Sequence, residues 1–206
     1  MINQQKVRFN LNMADENLIL NENHPTRADA LKNHTLLLET ARRLFAERGV
    51  EAVPMSAVAE AARVGKGTLY RHFENKTALC QALLDEDQRD LQERTLRRLS
   101  AGGDTLANLH WFLTQVILFV DQNAALLCES AHGDQNAMLE HPAHLWWRQT
   151  IRGLLLQRRA PGDVDYTADV LYAMLDARMI NFQRRFLNYS LDRIIAGLTD
   201  VLERLT

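Results

Sequence analysis

From Thr35 to the end of the 206-residue chain, apolar residues recur every three or four positions, and no stretch shows the strict alternation of a half-buried strand. Hairpin turn pairs and internal repeats are missing from the same region. That one periodicity restricts the chain to an all-α fold. With 47% apolar residues it can bury a substantial core, and its length suits one large domain or two small ones at about 100–200 residues each.

Punctuation residues place the helices. Leu37, Leu38, Ala41, Leu44 and Phe45 share one face of a first helix that stops at Gly49, which takes a left-handed terminus at no steric cost. Pro54 suits the first turn of a second helix, whose stripe is Met55, Val58, Ala59 and Ala62. After a break at Arg63-Val64-Gly65, a short third helix over 66–73 sets Leu69 and Phe73 four residues apart on its inner side. Asn75 is a good N-cap for a long fourth helix that runs to Gly102-Gly103. Further helices are predicted over 104–121, 123–132, 141–159, 163–188 and 190–205, separated at Gly133, Pro142, Pro161-Gly162 and Asn188-Tyr189-Ser190. Residues 1–32, with six asparagines and no sustained period, read as an arm.

Several function classes find no support. The longest nearly uncharged apolar stretch, around 111–120, falls short of the roughly 20 residues a spanning helix needs, so no membrane partner is expected. The start, Met1-Ile2-Asn3-Gln4-Gln5, has neither the pattern of a secretion signal nor the Arg-rich bias of an import sequence, and the cytoplasm is the expected location. Cys80 and Cys128 are too far apart in sequence for a zinc ligand set and read as reduced packing residues. There is no nucleophile elbow, Gly-rich phosphate loop or His pair at metal spacing, and His132, His141 and His144 lie around a turn without clustered acids. Neither an enzyme, a metal site nor a cofactor is expected.

The net charge of −2 argues against a nucleic-acid partner only while the chain is taken whole. Between Asn33 and Leu79, seven Lys or Arg stand against five acids, which leaves seventeen cations and twenty-one acids elsewhere. A basic module is joined to an acidic one. Inside the basic part, two short helices meet at a tight turn, and the second exposes Lys66, Thr68, Tyr70, Arg71 and His72 while hiding Leu69 and Phe73. That is the geometry that inserts a helix into a major groove. Gly67 costs about 0.5–1 kcal/mol relative to alanine inside a helix, so its place near the helix start points to a close backbone approach, for which a DNA phosphate is one candidate.

The run Gly65-Lys66-Gly67-Thr68-Leu69-Tyr70-Arg71-His72-Phe73-Glu74-Asn75-Lys76, together with Leu44-Phe45-Ala46-Glu47-Arg48-Gly49, closely resembles the signature of the TetR family of bacterial regulators, over about residues 35–80. The resemblance implies an N-terminal three-helix DNA-binding domain (33–79) with its helix-turn-helix in 54–73, followed by a helical effector-binding and dimerisation domain (80–206). It further implies that Lys66, Thr68, Tyr70 and His72 touch phosphates or base edges, that Arg71 reads a base, and that Lys76 grips the backbone from the fourth helix. Arginine suits base reading because its fork bonds both acceptors of guanine. Three positions depart from the family pattern: Pro54 replaces a common phosphate-binding Thr, Arg63 stands where the turn usually has Gly, and Gly65 replaces a capping Ser. Arg63 is expected either to accept left-handed geometry or to reshape the turn, and it adds a further phosphate contact.

For the second module the family sets the expectation of a ligand-responsive repressor that binds a palindromic double-stranded DNA operator as a homodimer. Its last two helices would then form the dimer interface, through Leu171, Met174, Phe182, Leu191, Ile194, Ile195, Leu198 and Leu202, although core packing is the competing role for each. Ligand sites in bundles lie between helices and are mostly apolar. Trp111, Phe112, Gln115, Cys128, His132 and Trp147 are the pocket candidates, and they favour a small hydrophobic or aromatic effector. Trp146 and Trp147 are adjacent, so both cannot face inward.

Overall fold

The structure is a computed structural model, which describes residues 27–130 and 142–205. Ten helices follow one another there with no strand among the described residues: α1 (Arg27–Arg48), α2 (Met55–Ala61), α3 (Lys66–His72), α4 (Lys76–Ser100), α5 (Thr105–Gln122), α6 (Ala124–Ser130), α7 (Pro142–Arg158), α8 (Val164–Ala173), α9 (Ala177–Arg185) and α10 (Leu191–Leu205). The all-α expectation holds. His132, Gly133 and His141 lie outside the described residues.

Two boundaries differ from those expected. Helix α1 starts at Arg27, eight residues before Thr35, and so takes in the end of the segment read as an arm. Residues 28–36 bury no side chain fully: Leu31 is exposed, and Leu37 is the first described side chain to enter the core. Ordinary helix propensity and Asp29 in the first turn extend the helix there, without an apolar stripe to reveal it. The helix expected over 163–188 is two, α8 and α9, broken at Met174-Leu175-Asp176. Asp176 accounts for the restart, since its carboxylate accepts from the amides of Arg178 and Met179, while Leu175 turns into the core.

Other terminators behave as their chemistry demands. Gly49 ends α1 at φ +81°, its amide donating to the Phe45 carbonyl. Pro54 sits at the N-cap of α2, one position ahead of the helix proper, and offers no side-chain cap. Asn75 caps α4, accepting from the Ala78 amide at 2.8 Å.

The buried apolar residues form two clusters. One gathers Leu37, Leu44, Val58, Leu69 and Phe73 from α1 to α3 with Leu79, Cys80 and Leu83 of α4. The other gathers Leu84 and Leu91 of α4 with the inner faces of α5 to α10, including Phe112, Trp147, Leu171 and Leu202. Helix α4 belongs to both, and the clusters change over between Leu83 and Leu84. At about 1.5 Å per residue its 25 residues span about 37 Å, a single rod through both cores. Arg42 of α1 reaches across to Asp87 (2.8 Å) and Glu86 (3.3 Å) of α4, at an exposed seam between the two parts. Helices α7 and α8 run antiparallel, as the order of their ion pairs Arg148–Asp169 and Arg152–Asp165 requires. No single described helix is long and apolar enough to cross a membrane; α5 and α6 reach the length only together, across a bend of 72°.

Candidate nucleic-acid interface

The joint between α2 and α3 is a left-handed helix stop built on arginine. Arg63 stands at φ +55°, its amide donates to the Glu60 carbonyl, and the Val64 amide donates to the Ala59 carbonyl, which closes the last turn of α2. The strained alternative for Arg63 is therefore the one adopted, and its side chain is exposed. Gly65 opens α3 without a side-chain cap, as its lack of a side chain dictates, and the amides of Thr68 and Leu69 donate to its carbonyl instead.

Helix α3 is seven residues long and too short to be stable alone. It is held from beneath by Leu69, fully buried, and by Phe73, 3% exposed, each a burial of about 1.5–3 kcal/mol. With those two turned inward, Lys66, Gly67, Tyr70 and Arg71 are exposed, and Thr68 and His72 half-buried. A methyl group placed on Gly67 would meet nothing within 4 Å. The protein itself does not require glycine there, and the space above it is open. Arg71 is parked on its own helix, donating to Thr68 Oγ1 at 3.4 Å, a weak bond that a better acceptor would displace.

Lys76, expected on the DNA backbone, is half-buried and donates to the Glu51 carbonyl at 3.2 Å, tying the start of α4 to the loop before α2. One of its three N–H groups is committed there. A residue without a place in the sequence expectation joins this side of the molecule. His34 of α1 lies with its ring 5.7 Å from that of His72 and 5.0 Å from that of Phe73. Desolvation first, then the neighbouring His34 and Arg71, hold the His72 imidazole below its usual range. No local pattern marks His34, because its neighbour comes from 38 positions along the chain.

The residues expected to line a pocket are not gathered into one cavity. Phe112 and Trp147 are core residues, and the Trp147 indole donates to Gln88 of α4 at 3.0 Å while Phe119 packs edge-on against it. Trp111 is half-buried beneath the Arg98 guanidinium. Cys128 is exposed and not a packing residue, unlike Cys80, whose thiol burial pushes up to about 12. Gln115 accepts from Arg94 at 2.7 Å and, alone among the described candidates, lines a cleft of about 340 Å³ between α1, α4 and α5, with Arg42, Asp87 and Asp90. A second cleft, of about 330 Å³, lies between α5, α6 and α9, where Arg184 pairs with Asp121.

The expected interface residues also divide. Leu171, Ile194, Leu198 and Leu202 turn into the core of the subunit, and Met174, Leu191 and Ile195 are half-buried. Phe182 is exposed, stacked on Phe186 at 5.1 Å, with Met179 and Leu187 beside them in the sequence and likewise exposed.

Residues 37–83 match the profile of bacterial regulatory proteins of the tetR family. The HTH-type transcriptional regulator SAB2452 of Staphylococcus aureus (strain bovine RF122 / ET3-1) is 43% identical over 61 residues, 30% of this chain and 33% of that protein, so this match spans about a third of the relative's length. The HTH-type transcriptional regulator SAR2658 of Staphylococcus aureus (strain MRSA252) is 28% identical over 172 residues, 81% of this chain and 90% of that protein. A crystal structure of a TetR-family transcriptional regulator from Pectobacterium atrosepticum shares the fold, with a TM-score of 0.66 at 20% identity over 87% of this chain and 95% of that one. The matched segment runs from within α1 into the start of α4 and includes Lys66 to His72, and the likeness of fold covers 87% of the chain. Residues 37–83 are thus a segment of the tetR family type, and the fold of the chain is similar to that of a TetR-family regulator.

Proposed function

We propose that the chain is a ligand-responsive transcriptional repressor that binds a palindromic DNA operator as a homodimer in the bacterial cytoplasm. The observation that carries this reading is the outer face of α3. A two-turn helix is pinned by Leu69 and Phe73 so that Lys66, Tyr70 and Arg71 stand free, next to a glycine with open space above it. Such a helix fits a major groove about 12 Å wide, with its N-terminal amides and Lys66 toward a phosphate and Arg71 toward a base edge. Lys76 can add a phosphate contact with its remaining N–H groups.

Two copies would hold their α3 helices about 34 Å apart, one turn of DNA. The exposed Phe182 and Phe186 of α9 support a two-fold contact there. An effector entering beside α4 would act on the rod that starts at Lys76 and passes through both cores. The aromatic residues around Trp111 and Trp147 favour a small hydrophobic or aromatic effector, admitted by parting helices that are closed here.

Gel-shift titration against the DNA upstream of its own gene tests the reading. Specific binding should weaken steeply with salt, and Arg71→Ala should abolish it while leaving the oligomeric state unchanged. Wild-type operator affinity in Arg71→Ala would overturn the assignment of α3 to the groove.

A further inference from the structure

His34 and His72 come from different helices, and both rest against Phe73, which is 3% exposed and gives the pair an apolar backing. Among the described residues neither ring is hydrogen-bonded or ion-paired to an acid. The charges that act on the His72 ring are those of His34 on α1 and Arg71 on α3; no carboxylate from α1, from the turn at 73–75 or from α4 is among them. The half-buried His72 imidazole therefore has its charging opposed by His34 and Arg71, with no carboxylate acting on it to relieve this. They stand at the C-terminal end of the helix whose exposed residues are Lys66, Tyr70 and Arg71. We propose that His34 and His72 together form a proton-dependent binding site for one phosphodiester of the DNA backbone. This rests on the reading of α3 as the DNA-contacting helix, and adds to it a residue of α1 and a proton.

The direction of the linkage follows from the charges. In the free protein, desolvation, His34 and Arg71 disfavour the proton on His72. A phosphate held between the rings favours it, so the complex binds more protons than the free protein does. Affinity must then rise as pH falls through the range in which imidazoles titrate, around 6.5, and the gain is lost as pH rises above the value in the complex. One fully coupled proton changes affinity by up to about tenfold per pH unit.

The test uses the full-length protein and duplexes that it selects from a random-sequence pool, with affinity read by fluorescence anisotropy at about pH 6 and about pH 8. Wild type should bind about tenfold tighter at the lower pH. His72→Gln should lose that gain, with thermal unfolding confirming that it is folded. His72→Arg, which carries a permanent charge, should bind more tightly than wild type at the higher pH and change little between the two. His34→Gln should reduce the gain more than it reduces affinity at the higher pH; a purely structural His34 would instead weaken binding equally at both. Substituting neutral methylphosphonate at one linkage after another should find one position that erases the wild-type gain. The site is refuted by a flat wild-type profile, by full retention of the gain in His72→Gln or in His34→Gln, or by no tightening in His72→Arg at the higher pH. If no duplex is selected at either pH, the DNA reading of α3 fails and this site with it; selected duplexes with a flat profile remove the histidine site alone.

Discussion

Arg63 carries a cost that the fold could avoid. A non-glycine residue in the left-handed region is disfavoured by about 1–2 kcal/mol, and glycine would occupy φ +55° without that penalty. On the proposed reading of α3, the exposed guanidinium would meet a DNA phosphate beside the turn, and that contact would offset the cost. Arg63→Gly should therefore stabilise the protein by about 0.5–1 kcal/mol in thermal unfolding, after the larger backbone entropy of glycine is subtracted. It should also lower affinity for a selected duplex and reduce the slope of log affinity against log salt by about 0.9, the loss of one phosphate contact. Unchanged salt dependence would leave Arg63 a residue of the turn alone. The cysteines offer a second check at this scale. Cys80 is buried with its thiol near 12, whereas Cys128 is exposed, so a native thiol titration should report one fast-reacting group and a second only after unfolding.

Among the elements, those bounded by local chemistry were legible and those decided by distant partners were not. Gly49, Asn75 and the Leu69–Phe73 spacing announce their roles within a few residues, and the structure agrees with each. The first turns of α1 carry no apolar stripe, and a break capped by Asp176 inside an otherwise periodic run is a single carboxylate's work. Helix α4 shows the same limit. Its stripe is visible in the sequence, but Gln88, a polar residue on the buried side, is explained only by the Trp147 indole from 59 positions away. This bond is a polar link between α4 and α7, and breaking it strands an indole N–H. Gln88→Leu should cost about 1–3 kcal/mol in chemical denaturation. Adding Trp147→Phe should cost less in that background than it does alone, because the stranded donor leaves with the indole. Additive losses would mean that packing, not the hydrogen bond, accounts for both.

At the scale of the molecule, the decisive ambiguity was what covers an apolar stripe. The face of α10 carrying Ile194, Leu198 and Leu202 announces burial, yet a helix buries its stripe equally well against its own subunit or a partner. The structure spends that face inside the subunit, where α5 lies against it and His110 pairs with Thr199. Of the last two helices, α9 keeps the more exposed apolar side chains. Met179, Phe182 and Phe186 recur at helical spacing and are 50%, 46% and 75% exposed, while Ile180 anchors the opposite side. Aromatic rings left this open are costly in water and are the kind of anchor on which interface energy concentrates. Phe182→Glu with Phe186→Glu should convert a dimer in sedimentation equilibrium to a monomer with unchanged helical content, since neither side chain supports the core. Because two-fold binding joins two half-sites, the monomer should bind a full palindromic duplex no better than a single half-site. A double variant that stayed dimeric would move the interface off α9, onto the partly buried edge of α10 at Leu191 and Ile195.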